Sequence, residues 1–176
     1  MARVTYIEGT DDPELDDLLD KIRSGRRGSL INVYKLLLHS PPLAESWFDH
    51  LNQVRWGTQL SGRLREIIII RIGYLNKVDY VLNQHVPKLA EAEGLSVAEC
   101  DALADWTDDG TFSAEECAAL AFADAMTRHV AVPDDVFDAL RDHFDERRIV
   151  ELTILIGTYN MQNRVLAALE IDLEPK

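Results

Sequence analysis

Two ionisable side chains, Glu66 and His85, lie in segments of the chain that are otherwise strongly apolar. Glu66 precedes a run of isoleucines, and His85 follows a segment that begins at Val78. A buried ionisable group costs free energy unless it is paired or hydrogen-bonded. Each residue therefore needs a partner, and the sequence makes each a candidate partner of the other, in a pairing suited to proton transfer.

This pairing depends on a reversal of the chain near Asn76 and Lys77. Glu66 precedes Asn76 by about 15 Å of helix, and His85 follows Lys77 by about 12 Å. Two helices that fold back on each other would bring both side chains to a similar height. One straight helix would separate them by about 28 Å and prevent any contact.

Helical periodicity predicts that both side chains point toward the core. His85 shares a helix face with Val81, and Glu66 shares a face with Ile70. The same spacing fits a second arrangement, in which Glu66 pairs with Arg63 three positions earlier and His85 is a hydrogen-bonded core residue. Spacing alone leaves both arrangements open.

Two aromatic residues near these segments, Trp56 and Tyr80, are candidates for the walls of a pocket. The alternative is that they are ordinary core aromatics. Pro87 removes the helical hydrogen bond to the carbonyl of Asn83. The free carbonyl favours a polar cavity beside His85, although a plain helix end has the same pattern.

The charge of the chain limits its partners. Its 176 residues carry a formal net charge of −13, and 47% of them are hydrophobic. This charge disfavours nucleic acids and anionic membrane surfaces, and no segment approaches the roughly 20 apolar residues of a membrane span. The first residues lack a signal-peptide pattern, so we expect a cytoplasmic protein that acts on a small molecule. Arg63, Arg65 and Arg71 are either a solvated helix face or a local site for a small anion.

The two cysteines, Cys100 and Cys117, have neither a Cys-x-x-Cys nor a zinc-site spacing. Their apolar neighbours favour small core residues over a redox pair. The sequence has no set of His, Cys, Asp or Glu residues at metal-ligand spacing and no glycine-rich phosphate loop. We therefore predict neither a metal nor an organic cofactor.

Helix signals occur along the whole chain and predict an all-α fold. Ser96 with Glu99 and Ser113 with Glu116 have the spacing of capping boxes, and Asp145 is predicted to cap a long helix that ends near residue 169. We divide the chain into residues 1–29, an N-terminal arm and first helix, and residues 30–176, a helical domain. A similar spacing of Glu and Tyr in residues 66–74 and 151–159 indicates either two diverged helical repeats or chance.

An ordered set of segments carries a family resemblance: Leu38-His39-Ser40-Pro41, residues 63–67 and 70–73, Tyr80, His85, and residues 91–96 and 151–164. Together they resemble the carboxymuconolactone decarboxylase family, whose superfamily includes the AhpD-like alkylhydroperoxidases. The resemblance covers about residues 30 to 170. It implies a helical domain that assembles as a homo-oligomer, usually a trimer or hexamer, with a dimer also open.

The decarboxylase branch implies loss of carbon dioxide from a carboxylated unsaturated lactone and reprotonation of the product, without a cofactor. By this resemblance His85 would be the general acid–base and Glu66 its orienting partner or a second proton carrier. Arg71 would bind the substrate carboxylate through two hydrogen bonds. Trp56 and Tyr80 would line the substrate pocket.

Two other functions stay open. The peroxidase branch has a Cys-x-x-Cys motif before the histidine, and Val78 and Val81 occupy those positions here. Thiol peroxidase chemistry needs a thiolate, so an antioxidant protein would have to use Cys100 or Cys117. A non-catalytic oligomeric or ligand-binding member would instead pair the glutamate with Arg63 and leave no cavity beside the histidine.

Overall fold

A computed structural model describes residues 1–9, 13–25, 28–107 and 110–175 of the chain. This described part contains ten α-helices and no β-strand. The all-α prediction is confirmed. None of the helices in these ranges is both long and apolar enough to cross a membrane. In chain order they are α1 (Pro13–Ser24), α2 (Asn32–Leu37), α3 (Pro41–Trp56), α4 (Gly62–Asn76), α5 (Asp79–His85), α6 (Lys88–Ala92), α7 (Val97–Ala102), α8 (Ala114–His129), α9 (Asp134–Arg141) and α10 (Glu146–Ala168).

Helix α4 is the central helix of the fold. Residues 64–73 are all buried, because α5, α6, α8 and α10 pack around the helix. A helix enclosed in this way needs apolar residues around its whole circumference, which explains the isoleucine run. The same enclosure buries Arg65, Glu66 and Arg71, so each of these needs a polar partner inside the fold.

The turn between α4 and α5 lies at the predicted position. Helix α4 ends at Asn76, and Lys77 adopts a left-handed conformation with a φ of 56°. Helix α5 then returns alongside α4. Gly73 allows this close approach, because a Cβ at that position would lie 2.9 Å from Cδ2 of Leu82. The predicted chain reversal is confirmed.

Three predicted helix starts are also confirmed. Ser96 and Glu99 form a complete capping box at α7, and Ser113 and Glu116 form one at α8. The side chain of Asp145 accepts the hydrogen bond that caps α10. These are local signals, and the structure satisfies them locally.

The N-terminal arm packs against the segment that follows α10. The backbone N–H of Arg3 donates to the carbonyl of Leu169 at 2.9 Å, and the backbone N–H of Ala2 donates to Asp172 at 2.9 Å. Helix α1 contributes Ile22 to the same hydrophobic core as α4. The division between residues 1–29 and 30–176 stays a prediction.

The two segments with similar Glu and Tyr spacing lie on α4 and α10, which pack against each other. Their side chains are used differently. Glu66 is buried whereas Glu151 is half-buried, and Tyr159 is buried whereas Tyr74 is half-buried. Their origin as a repeat stays a prediction.

Candidate active site

The fold brings Glu66 and His85 into direct contact. Oε2 of Glu66, on α4, lies 2.5 Å from Nδ1 of His85, the last residue of α5. Glu66 is fully buried and His85 is 4% exposed. The chain reversal therefore produces the geometry on which the proton-transfer hypothesis depends, and the catalytic role of the two residues stays a prediction.

The charge of Glu66 determines which nitrogen of the His85 imidazole carries the hydrogen. Burial by itself raises the pKa of Glu66, but the charge and hydrogen bond of His85, together with the charges of Arg55 and Arg65, lower the pKa below its usual value. An ionised carboxylate can only accept a hydrogen bond. Nδ1 of His85 therefore carries the hydrogen, and Nε2 is the nitrogen left to exchange a proton.

Tyr159 of α10 supports the ring of His85 from the side. The two ring centroids are 5.9 Å apart and the ring planes meet at 81°, an edge-to-face contact of the kind that aromatic rings prefer. The imidazole is therefore fixed by Glu66 at Nδ1 and by an aromatic ring at its side.

Two arginines compensate the second oxygen of Glu66. Nη2 of Arg55 lies 3.5 Å from Oε1 and Nε of Arg65 lies 3.7 Å from it. Arg65 is also bound to Glu93 at 2.7 Å and to the carbonyl of Arg55 at 2.8 Å. Arg55, in the last turn of α3, is a site residue that sequence reasoning missed. Only its position next to Trp56 could have indicated it.

The structure places Arg63 away from Glu66. Its guanidinium donates to Glu116 at 2.7 Å, to Glu99 at 2.6 Å and to the carbonyl of Gly94 at 2.9 Å. Glu99 and Glu116 are the acidic residues of the two capping boxes, so Arg63 joins the starts of α7 and α8. The alternative pairing of Glu66 with Arg63 is absent.

Arg71 lies in another part of the core and does not line the cavity beside His85. Its guanidinium binds both carboxylate oxygens of Asp124, at 2.7 and 2.6 Å. It also donates to the carbonyls of Leu103 and Ala104, each at 2.9 Å. These partners occupy the donors that the sequence-based hypothesis assigned to a substrate carboxylate, so the predicted role of Arg71 does not fit this structure.

A cavity of about 280 Å³ lies beside His85. One part of its lining is apolar and aromatic, and a second part is polar. The apolar part includes Val33, Tyr34, Leu51 and Leu89, and the polar part consists of Arg55, Gln84, His85, Lys88 and Gln162. Pockets that combine apolar walls with a few convergent polar groups are typical of small-molecule sites.

Trp56 and Tyr80 both line this cavity, and their role in substrate binding stays a prediction. Trp56 is 59% exposed, and its ring lies 4.9 Å from Cζ of Arg55. Tyr80 is buried, and its hydroxyl donates to Oε1 of Glu174 at 2.5 Å. Burial and this carboxylate raise the pKa of Tyr80, so its hydroxyl stays protonated. Glu174 was also missed, because it is distant in sequence.

The two cysteines do not form a disulfide. Cys100 is buried and Cys117 is half-buried. Burial raises the pKa of the Cys100 thiol, which disfavours a reactive thiolate. Val78 and Val81 are buried in the core. Within the described ranges, no group of three His, Cys, Asp or Glu side chains is arranged to hold a metal ion.

The sequence matches the carboxymuconolactone decarboxylase family model over residues 41–125. This range contains Arg55, Trp56, Glu66 and His85. The uncharacterised protein YdfG of Bacillus subtilis is 30% identical over 107 residues, which cover 60% of this chain and 72% of YdfG. The family model and this relative agree with the resemblance seen in the sequence.

Solved structures share the fold. An uncharacterised peroxidase-related protein from Silicibacter has a TM-score of 0.84 and 23% identity, with 98% of this chain and 92% of that chain covered. ATU0492 from Agrobacterium tumefaciens, a protein of unknown function provisionally identified as the antioxidant defence protein AhpD, has a TM-score of 0.74 and 26% identity, with 80% of this chain and 97% of that chain covered. The chain has the all-α AhpD-like fold and belongs to the carboxymuconolactone decarboxylase family.

Proposed function

We propose that this protein is a cofactor-free enzyme that transfers a proton at a carbon atom of a small organic acid or lactone during decarboxylation. The observation that carries the proposal is the buried 2.5 Å hydrogen bond between Glu66 and Nδ1 of His85, beside a cavity that His85 lines. The carboxylate orients the imidazole so that Nε2 takes up and releases the proton.

In the proposed reaction, the bond between the substrate carboxylate and its ring carbon breaks, and carbon dioxide leaves. The electron pair of that bond passes into the conjugated ring, where the lactone carbonyl holds the negative charge. Protonated His85 delivers the Nε2 proton to the carbon atom and then takes a proton from water. The net reaction consumes one proton, and Glu66 stays ionised throughout because the charges around it lower its pKa.

Neither alternative function has comparable support in the described residues. A thiol peroxidase would need a thiolate, but valines occupy the two motif positions and burial raises the pKa of Cys100. A non-catalytic member is expected to pair Glu66 with Arg63 and to lack a cavity. Arg63 is instead bound to Glu99 and Glu116. Both observations favour proton-transfer chemistry.

The test is to screen unsaturated lactone carboxylates and β-keto acids for release of carbon dioxide, and then to measure His85→Gln and Glu66→Gln on the substrate found. Removal of a general acid–base typically costs about 10²- to 10⁴-fold in rate, so we expect at least a hundredfold loss for H85Q. We expect E66Q to lose at least about tenfold, because the amide fixes the tautomer less strongly.

His50→Gln is the matched control. His50 is exposed on α3, where Nε2 contacts Oγ1 of Thr158 at 2.9 Å, and it does not line the cavity. H50Q should keep the wild-type rate. Full activity of H85Q on a substrate that the wild type decarboxylates would remove His85 from the mechanism.

We also propose that the protein assembles as a homo-oligomer through α10. Val150, Ile154 and Met161 are exposed, and with Gly157 they follow one face of this helix. A Cβ at Gly157 would meet nothing within 4 Å, so a neighbour has room to approach there. Copies with a net charge of −13 repel one another elsewhere, and an uncharged stripe is where two of them can meet.

Light scattering coupled to gel filtration tests this assembly. The wild type should have the mass of an oligomer, and Ile154→Glu should reduce that mass. Val97→Glu is the matched control, because Val97 is an exposed apolar residue on α7, away from the stripe. A monomeric wild type, or an equal effect of both substitutions, would contradict the proposal.

A further inference from the structure

Arg55 has hydrogen-bonding capacity that the described residues do not use. Its side chain is 12% exposed and lines the cavity, and its buried Nε has no hydrogen-bond partner. Its nearest ionic contact, Nη2 to Oε1 of Glu66 at 3.5 Å, exceeds the roughly 2.7–2.9 Å of a charge-assisted hydrogen bond. Nε of Arg65 is also unpartnered, but its two other nitrogens donate to Glu93 at 2.7 Å and to the carbonyl of Arg55 at 2.8 Å. Arg55 therefore has donors left for a ligand.

The polar part of the cavity favours a negative charge. Arg55 and Lys88 line it, and among the residues that the structure describes no carboxylate does. Two carboxylates contact residues that line the cavity: Oε2 of Glu66 binds His85, and Glu174 accepts from the hydroxyl of Tyr80. A protein with a net charge of −13 thus places two cationic side chains of its described residues at this one cavity. Local cations of this kind outweigh a more distant negative field.

Gln162 provides a second polar group without a partner. It is 8% exposed, and its buried Oε1 has no hydrogen-bond partner in the described residues. The two ends of a glutamine amide are nearly indistinguishable in shape, so Gln162 can offer either an N–H or a carbonyl to a ligand. An unpaired buried amide costs free energy, and a polar ligand group in the cavity would remove that cost.

The geometry points to Arg55 as the residue that binds a carboxylate of a small carboxylic acid, with Gln162 and Lys88 lining the same cavity. This inference rests on the proposed proton-transfer function and names its substrate class. The cavity of about 280 Å³ is slightly smaller than the usual range for ligand pockets, about 300–1,000 Å³. The ligand is therefore a compact acid whose apolar body lies against Leu51 and Leu89.

Arg55 also links binding to proton transfer. An anion bound at its guanidinium offsets part of the positive charge that acts on Oε1 of Glu66, 3.5 Å away. Glu66 then holds the Nδ1 hydrogen of His85 more strongly and fixes the orientation of the imidazole. Binding of the carboxylate thus stabilises the orientation of the neighbouring histidine.

The test uses Trp56 as a fluorescent reporter, because its ring lies 4.9 Å from Cζ of Arg55. The chain has three tryptophans, and a Trp47→Phe/Trp106→Phe background leaves only this one. Benzoate is the probe, and benzamide is its uncharged analogue of nearly equal shape. We expect benzoate to bind at least about tenfold more tightly than benzamide, the effect of a hydrogen bond to a charged group.

Arg55→Met should weaken benzoate binding by at least about tenfold and leave benzamide binding unchanged, which also shows that the cavity is intact. Arg55→Lys keeps the charge without the planar fork and should have an intermediate benzoate affinity. Arg141→Gln is the matched control, because Arg141 is exposed, pairs with Asp138 and does not line the cavity. It should bind both probes as the wild type does.

Three results would overturn the inference: no preference for benzoate in the wild type, no binding of either probe, or unchanged benzoate affinity in R55M. Failure of the proposed function looks different. If turnover of neutral lactones still depends on His85 while benzoate is not preferred, only the role of Arg55 is lost. If benzoate binds through Arg55 while decarboxylation does not depend on His85, only the proposed function is lost.

Discussion

Replacing Glu66 with glutamine changes a buried charge with little change of shape. The amide oxygen can still accept the hydrogen bond from Nδ1 of His85, but it carries no charge. Arg65 keeps its ion pair with Glu93 at 2.7 Å, whereas Arg55 loses its ionic contact with the carboxylate oxygen of Glu66 at 3.5 Å. The substitution therefore removes ionic compensation from one half-buried arginine and weakens one hydrogen bond.

These contacts give the size of the effect on stability. A hydrogen bond to a charged group contributes about 1.5–3 kcal/mol, and breaking a buried ion pair costs about 3–5 kcal/mol. Because Arg65 and the amide both keep a partner, we expect a loss near the lower range, about 2 kcal/mol at pH 7. In a domain of this size, such a loss lowers Tm by about 4–8 °C.

The loss depends on pH in a defined direction. The pKa of Glu66 in the folded protein is lowered from its ordinary value of 4.5. Its ionised form therefore stabilises the fold above pH 4.5, and this stabilisation is lost as the pH falls through the lowered pKa. Glutamine does not titrate, so the Tm difference between wild type and E66Q should narrow below pH 4.5.

Thermal unfolding followed by circular dichroism between pH 3.5 and pH 7 measures this difference. The chain has 31 acidic residues, and all except Glu66 are common to both proteins, so subtraction isolates one carboxylate. A Tm difference that stays constant or widens on acidification would refute the reasoning. In that case Glu66 would not be held ionised by its neighbours.

Further predictions concern the arginines and the cysteines. Arg71→Met breaks the buried pair with Asp124 and should cost about 3–5 kcal/mol in urea unfolding while benzoate affinity stays unchanged; weaker benzoate binding would mean that Arg71 reaches the cavity. Arg63→Met should cost about 2–3 kcal/mol at pH 7. Arg63 helps to lower the pKa of Glu99 from 4.5 to about 2. The stability difference between wild type and the Arg63→Met variant should therefore shrink when thermal unfolding is measured from pH 4.5 down to about pH 2. A stability difference that does not change over this range would contradict the prediction. A Cys100→Ser/Cys117→Ser double variant should turn over peroxide no differently from the wild type, and a loss of turnover would revive the thiol hypothesis.

The parts of the fold that the sequence predicted are those with local causes. The capping boxes of α7 and α8 each lie within four residues, so their spacing alone specifies them. The contact of Glu66 with His85 was predictable because one turn and two helix faces determine it. These are short-range constraints of helix geometry.

Arg71 lies away from the cavity for a simple geometric reason. It lies five positions after Glu66 on α4, which corresponds to a rotation of about 140° around the helix. Because α4 is enclosed on all sides, the two residues point toward different neighbours, α5 for Glu66 and Asp124 of α8 for Arg71. Proximity in sequence does not place two residues of an enclosed helix at the same site.

Arg55 and Glu174 show where the sequence gives no signal. Arg55 reaches Glu66 from another helix, and Glu174 reaches Tyr80 across 94 positions. Neither contact follows from helical periodicity, because the packing of whole elements determines it. Long-range partners of this kind need a structure.

The contact between Tyr80 and Glu174 joins a residue within the range that matches the family model to a residue outside that range. Glu66 and His85 lie within residues 41–125, the range that matches the family model, whereas Glu174 comes from the tail after α10. The same carboxylate accepts the backbone N–H of Asn32 at 2.7 Å, so the tail positions both Tyr80 and the start of α2. Replacing this short tail with that of a relative would therefore change the wall of the ligand pocket at Tyr80. The residues proposed to move the proton would not be disturbed.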